Sequence, residues 1–352
     1  MAEKPTSILM LSLGGTIAMT SGRDAGVVPT LTAEQLIAAV PGLADTGIDV
    51  HVHTFRQLPG ASLEFDDLTA LAALIADRTT TGGIDGVVVT QGTDTIEETA
   101  YLLDLLHTGD APVVVTGAMR NPTIAGADGP ANVLAAIRTA GSPTARGLGT
   151  LVVLADEIHA AGQVRKTHST SGGTFRSPNT GPLGHVVEGT VRLLARPLHR
   201  MTVPMETATR VPRVGLYTVT LGDDGLLLTG AHGLDGLVVA GLGVGHVPRH
   251  LVEKLAALAT RIPVVLASRT GAGPVLASTY GFPGSESDLQ RRGLVGAGFL
   301  DPYKARILLW TLLAADAGPD SIAAAFAAAG GTGDPTRWPW PTPSQQPEMQ
   351  HA

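Results

Sequence analysis

Two turns in this chain crowd threonine and glycine, and in one of them aspartate, into the place where an apolar strand ends, a grouping suited to binding a small polar ligand. In "VVVTQGTDTIEE" (Val87 to Glu98) an apolar strand runs into Thr-Gln-Gly-Thr-Asp-Thr and then into an amphipathic helix. In "ILMLSLGGTIAMT" another apolar strand runs into Gly14-Gly15-Thr16. Gly14, Gly15 and Gly92 allow a ligand close to the backbone and its N–H groups. Those donors, with a helix N-terminus behind them, favour an anionic group such as a carboxylate. Asp94, in the same turn, is suited to hold an ammonium group. A carboxylate-binding turn beside an ammonium-binding carboxylate describes a receptor for an α-amino acid. Each turn also has a plain structural reading. Asp94 and Thr95 are favoured helix N-caps, with Glu97 and Glu98 in the first turn beyond them. Gly14-Gly15-Thr16 would equally serve as a tight turn.

Other chemistries find less support. The chain has no cysteine, which removes disulfides, thiolate metal sites and a cysteine nucleophile. The 11 histidines are scattered without an HExxH pattern. His51 and His53 share one strand face but lack a third ligand at useful spacing, so they read as structural and no metal is expected. No GxSxG elbow and no GxxxxGK[ST] loop occur, and "GLGVGH" from Gly241 misses the dinucleotide spacing. A net charge of −7, from 24 basic and 31 acidic residues with no basic block, argues against a nucleic-acid partner. No apolar run reaches the ~18 residues of a membrane span. "ILMLSL" is short for a signal peptide and no small-residue cleavage site follows it, so a cytoplasmic protein is expected. Only four lysines occur, at positions 4, 166, 254 and 304, in a chain that otherwise uses arginine.

These turns need elements to hold them. Apolar runs at Ser7–Leu13, Ile48–Thr54, Gly86–Thr90, Pro112–Thr116 and Gly149–Ala155 alternate with helical patterns near Thr32–Val40, Phe65–Arg78, Thr95–His107 and Pro130–Thr139. Continuous Val and Leu runs indicate strands buried on both faces, and alternating βα order predicts a doubly wound α/β domain with a mostly parallel sheet. From Lys166 to about Arg210 the chain is rich in Gly, Pro, Thr and Arg, and its later part reads as a connection. A second βα series follows, with strands at Val214–Thr218, Gly236–Ala240 and Pro263–Ala267, and helices at Arg249–Thr260, Pro302–Ala315 and Ser321–Ala329. Asp301-Pro302 suits the N-cap and first turn of a helix. The predicted organisation is therefore a larger N-terminal domain over 1–190, a linker over 191–212, a smaller α/β domain over 213–332 and a poorly ordered proline-rich tail over 333–352.

At this point the motifs resemble a family. "GGTIAMT" at Gly14 and "VVVTQGTDTIEETAYLLDLL" at Val87 are similar to the two signatures of bacterial L-asparaginases. So are "PVVVTGAMR" at Pro112, "ADGPANVLAAI" at Ala127 and "VRKTHST" with "TFRSPNTGPLG" between Val164 and Gly184. "AGLGVGHVP" and "DPYKARILLW" match the family's second domain, so the resemblance runs to about Ala329. It implies hydrolysis of the side-chain amide of L-asparagine, without a cofactor, in a homo-oligomer (dimer or tetramer). Thr16 matches the family's nucleophile, which forms an acyl-enzyme ester, and Thr93, Asp94 and Lys166 match its catalytic cluster. The implied substrate contacts include Gly15, Gly60, Ala61, Ser62, Gly92 and Ala118. The segment Gly241 to His246 resembles the loop that completes a neighbouring subunit's pocket, with His246 as its contact.

The chain departs from the family pattern twice. Val27 or Val28 stands where a loop tyrosine usually follows the nucleophile, and Gly60 replaces a common serine, with Ser62 nearby. Of the four tyrosines, Tyr101 and Tyr217 fall within a helix and a strand and Tyr303 opens a helix, which leaves Tyr280 in a glycine-flanked loop. Tyr280 could bring a phenol toward Thr16, across a subunit contact or otherwise. The rival account gives the proton transfers to Thr93, Asp94 and Lys166 alone. Two other functions stay open: an amidase preferring glutamine or a larger amide, and an amino-acid-binding protein with weak or no turnover.

Overall fold

The computed structural model describes residues 5–15, 19–21, 27–29, 33–204 and 211–343. It divides into two units, Met1–Arg200 with Pro343–Ala352, and Met201–Thr342. The first unit opens with β1 (Ser7–Ser12), a ribbon of β2 (Met19–Ser21) and β3 (Val27–Pro29), α1 (Ala33–Ala38), β4 (Asp49–Thr54) and α2 (Phe65–Thr80). It continues with β5 (Gly86–Thr90), α3 (Ile96–Leu106), β6 (Val113–Thr116), α4 (Gly129–Ala140), β7 (Thr150–Leu154) and β8 (Glu157–Ala160). A second ribbon, β9 (Arg165–Lys166) and β10 (Phe175–Arg176), precedes β11 (Gly184–Val187) and β12 (Thr190–Leu193).

The main sheet has the order β12-β11-β8-β7-β6-β5-β1-β4. Its strands β4, β1, β5, β6 and β7 are mutually parallel, and β8, β11 and β12 extend it antiparallel. Strands β1, β5, β6 and β7 are buried along their whole length, as their unbroken apolar runs require. Ile8, Met10, Val88, Val114 and Val153 pack on Val133, Ala136 and Ile137 of α4. Their neighbours Leu9, Leu11, Val87, Val89, Val113 and Val115 point to the other face and are buried as well. There α3 lies against β6 and β7 with α2 beside it. The edge strand β4 is half-exposed, and its His51 and His53 both face outward. The chain leaves β1 toward β4 and returns on the other side at β5. Beyond the carboxyl ends of these neighbours lies the crevice where such sheets bind ligands.

The second unit contains β13 (Val214–Thr218), β14 (Gly236–Gly241), α5 (Val252–Ala259), β15 (Val264–Ser268), α6 (Glu286–Arg291), β16 (Val295–Gly296), α7 (Pro302–Ala314) and α8 (Pro319–Ala329). Its four strands are parallel and stand in sequence order. Asp301 caps α7, accepting the backbone N–H of Tyr303 and Lys304.

Two predicted boundaries are corrected. The stretch set aside as a linker from 191 begins inside β12, which pairs with β11, and the first unit runs on to Arg200. The Arg200 guanidinium is buried there and donates to the carbonyls of His107 and Gly109. Of the tail expected to be poorly ordered over 333–352, residues 344–352 lie outside the described residues, while the part up to 343 makes a 3₁₀ turn at Pro335–Arg337 and buries Trp338. The Trp338 indole N–H donates to the Thr202 carbonyl at 2.9 Å. Proline content hid that one aromatic anchor, which offers a large apolar surface and a polar handle together. Among the described residues no helix is long and apolar enough to cross a membrane.

Candidate active site

Four turns follow the carboxyl ends of β4, β1, β5 and β6, and three of them touch through backbone. Gly14 and Gly15 have φ of +98° and +83°, a region that L side chains avoid. A methyl group on Gly15 would stand 2.0 Å from the Gly92 nitrogen, and one on Gly60 would stand 2.9 Å from the Gly92 carbonyl oxygen. The fourth turn is equally close, because a methyl on Gly117 would lie 2.6 Å from the Gln91 carbonyl oxygen. The glycines of Gly14-Gly15 thus serve a close approach of two turns as well as a bend.

Thr93 and Asp94 sit at the start of this contact, before α3. Lys166 Nζ donates to Thr93 Oγ1 at 3.0 Å and to Asp94 Oδ1 at 3.0 Å. Thr93 is buried, while the side chains of Lys166 and Asp94 are 16% and 64% exposed. The three groups therefore form a polar chain leading from the interior of the turn to solvent. Neither Asp94 nor Thr95 caps α3 through its side chain. Thr95 Oγ1 instead donates to the Gly60 carbonyl at 3.0 Å, tying the β5 turn to the β4 turn. Gln91, fully buried, donates to the Gly92 carbonyl and to Thr95 Oγ1, both at 3.2 Å. The capping reading of Asp94 and Thr95 gives way to one in which each crosses to another segment.

The β6 turn carries Ala118, which is buried. Asn132 of α4 donates to the Gly117 carbonyl at 2.9 Å and accepts the Ala155 N–H at 3.0 Å. Asp128 accepts the N–H groups of Met119 and Arg120. Gly60, Ala61 and Ser62 form a single 3₁₀ turn in which only Gly60 is buried. Among the described residues there is no group of three or more His, Asp or Glu side chains placed to hold a metal ion.

The model of the asparaginase N-terminal domain matches residues 7–199, and that of the glutaminase/asparaginase C-terminal domain matches residues 213–326. This chain belongs to the asparaginase family. A relative from Deinococcus radiodurans, named probable L-asparaginase, is 39% identical over 92% of this chain and 98% of its own length. A Pseudomonas aeruginosa protein named glutaminase-asparaginase is 33% identical over 87% of this chain and 86% of its own. Among solved structures, a probable cytoplasmic L-asparaginase from Campylobacter jejuni superposes with a TM-score of 0.82 at 33% identity, covering 91% of this chain and 99% of that one. Family membership makes this asparaginase-like chain an amidohydrolase.

Of the residues that the asparaginase resemblance singled out, Gly15, Gly60, Gly92, Thr93, Asp94 and Lys166 converge in the first unit, and Ala118 follows the Gly117 that touches them. Thr16 lies outside the described residues, directly after Gly15 in sequence, and Val27 and Val28 belong to β3. His246 and Tyr280 lie in the second unit, in a cluster with Phe282 and Glu286. The His246 ring meets those of Tyr280 and Phe282 edge-on at 4.9 and 5.0 Å. His246 Nε2 stands 3.2 Å from Glu286 Oε2. Glu286 is fully buried, and its other oxygen accepts the N–H groups of Thr279 and Tyr280. Burial opposes its ionisation, but those donors and His246 outweigh it and hold the carboxyl below its ordinary range.

Sequence reasoning missed Gln91, Asp128 and Asn132, which hold the turns rather than line them. Asn132 left a signal: a polar residue inside "ADGPANVLAAI", on a helix whose neighbours are apolar.

Proposed function

We propose that this chain hydrolyses the side-chain amide of L-asparagine to L-aspartate and ammonia through an ester on Thr16. The observation that carries the reading is Lys166 Nζ lying 3.0 Å from both Thr93 Oγ1 and Asp94 Oδ1, on a turn whose backbone meets Gly15. A threonine hydroxyl is a weak nucleophile near neutral pH and needs a neighbouring base. Thr16 Oγ gives up its proton as its bond to the amide carbon forms. The C–N bond then breaks as that same proton, relayed by the neighbouring base, reaches the amide nitrogen, which leaves as ammonia. Water polarised by the Thr93, Asp94 and Lys166 cluster cleaves the ester, which releases aspartate and restores Thr16. Backbone N–H groups at the Thr93 and Ala118 turns are the donors suited to the developing oxyanion. The reading needs no cofactor, and its partner is a small amino acid rather than a nucleic acid or a membrane. A cytoplasmic location accords with the name of the Campylobacter jejuni structure.

Glutamine is the second reading, favoured by the double name of the Pseudomonas aeruginosa relative. Ammonia release from asparagine, glutamine and amide-bearing peptides separates the two. Thr16→Ala should abolish release while the protein stays folded and binds aspartate, and wild-type release in that variant would end the proposal. Homo-oligomerisation is part of the same reading, with the His246 loop completing a neighbour's pocket. Specific activity should then fall on dilution together with loss of the dimer, whereas full activity in a monomer contradicts it. Tyr280 is offered as the replacement phenol, being 44% exposed. If Tyr280→Phe leaves acylation within a few-fold of wild type, the lysine cluster carries the proton transfers without it.

A further inference from the structure

Lys166 reaches the turn from outside the main sheet. It sits on β9, a two-residue strand whose sheet partner is β10 alone, with Phe175 opposite Lys166. Thr93 and Asp94, by contrast, are fixed at the end of a fully buried strand. A lysine side chain has four rotatable bonds, so 3.0 Å contacts to two oxygens demand a backbone held at the right depth. The hairpin's own closure, through Thr167, His168 and Thr174, shapes its turn but does not attach it to α3.

The attachment comes from one face of α3. Glu97 stands in the first turn of α3, three residues after Asp94 and four after Thr93, and is 7% exposed. Its Oε2 accepts the backbone N–H of Lys166 at 3.3 Å and lies 4.0 Å from Arg165 Nε. One helical turn further, Tyr101 is buried on the same face, and a methyl group on Gly162 would lie 3.5 Å from its ring. The helix that begins with Thr93 and Asp94 therefore also grips the segment that delivers Lys166.

We propose that Glu97 is a positioning residue, whose carboxylate holds the Lys166 backbone N–H and so sets the reach of Lys166 Nζ to Thr93 and Asp94. The inference rests on the amidohydrolase reading of that cluster. In this account Glu97 acts through Lys166 rather than on the substrate, so its removal acts on turnover and spares binding. Displacing a catalytic group by about 1 Å costs on the order of 10²-fold in rate.

The test compares Glu97→Met, similar in bulk but without an acceptor, with Glu97→Gln, which keeps an amide oxygen for the Lys166 N–H. Lys166→Met is run beside them. Each is purified, checked for a native melt and assayed for ammonia release from asparagine. Glu97→Met should lower kcat at least tenfold with KM within about threefold, and Glu97→Gln should recover activity to within about fivefold of wild type. A kcat for Glu97→Met within threefold of wild type overturns the inference. So does an equal loss in the Met and Gln variants, or a KM that moves as far as kcat. Should Glu97→Met fail to fold, Glu97→Gln decides alone, and a kcat loss beyond tenfold there counts against the hydrogen-bond role. Wild-type turnover by Lys166→Met refutes the underlying cluster instead, so the two failures are told apart.

Discussion

Asp104 and His107 stand three residues apart on the last turn of α3 and just beyond it, and their titrations should oppose each other. Asp104 is half-buried, with Oδ1 accepting the Thr150 N–H at 2.8 Å. Burial pushes its carboxyl from 3.8 up to about 6, against the Thr150 N–H and the Arg200 charge. Burial pushes the His107 imidazole down from 6.5 to about 4, with Arg200 adding to the effect and the Ala111 carbonyl and Asp110 opposing it. In the folded state Asp104 holds a proton that the unfolded chain has released. Its stabilisation is full below 3.8 and is lost as the pH rises through about 6. His107 works in the other sense: its stabilisation is full above 6.5 and is lost as the pH falls through about 4. At about 1.4 kcal/mol per pH unit, each gap amounts to about 3 kcal/mol. Acidifying the wild type from about pH 7 to about pH 4 should therefore cancel the two within about 1 kcal/mol. Asp104→Asn keeps an acceptor for Thr150 but loses the acid-side gain, so it should fall behind wild type by about 3 kcal/mol across that range. His107→Gln should gain a similar amount, and the double variant should track wild type. At 2–4 °C per kcal/mol for a unit of about 200 residues, calorimetry should read a divergence of about 6–12 °C. A gap between Asp104→Asn and wild type that stays within about 2 °C over the whole range refutes the reasoning.

Gly15→Ala puts a methyl 2.0 Å from the Gly92 nitrogen at φ +83°, so it should cost about 3 kcal/mol in a melt and about 10²-fold in kcat/KM. Wild-type kinetics in that variant would show that the two turns need no close approach. Thr95→Val keeps the branched shape but loses the bond to the Gly60 carbonyl, which should cost about 1 kcal/mol and raise KM more than it lowers kcat. An unchanged KM would detach that turn from substrate binding. Trp338→Ala should destabilise the second unit by about 3–5 kcal/mol, where a loose tail would cost almost nothing, and urea unfolding distinguishes them.

The parallel part of the fold was legible because its strands are buried on both faces and must be written as unbroken Val and Leu runs. The strands β8, β11 and β12 were not, since "EIHA", "GHVV" and "TVRL" are only four residues each, and the last two are partly exposed and set among glycines and prolines. The helix α6 was hidden similarly, at six residues with five of them charged or polar side chains in "ESDLQR" beyond its Ser285 cap. In the site, Gly15, Thr93, Asp94 and Lys166 could be named from motifs because the chemistry restricts their types. Glu97, Asp128 and Asn132 could not, because their work is to bond backbone groups that the fold brings near, and Gln91 works within its own turn, on the Gly92 carbonyl and Thr95. Thr95 shows the limit most clearly: its local sequence argues for a cap, and its hydroxyl serves a turn 35 residues away.

The hairpin that carries Lys166 also has a consequence for biosynthesis. β1 pairs with β4 on one side and with β5 on the other, Ile8 opposite Val50 and Gly86, so one edge of the first strand made waits for a partner nearly 80 residues later. At roughly 5–20 residues per second, about 8–30 s separate the emergence of Gly15 from that of Lys166 on the ribosome. During that interval a nascent chain carries an apolar strand with an open edge, which is what chaperones engage. Amide cleavage should then be the last property such a chain acquires. On refolding from denaturant, recovery of ammonia release should lag recovery of the far-ultraviolet signal, as the hairpin docks on a sheet already formed.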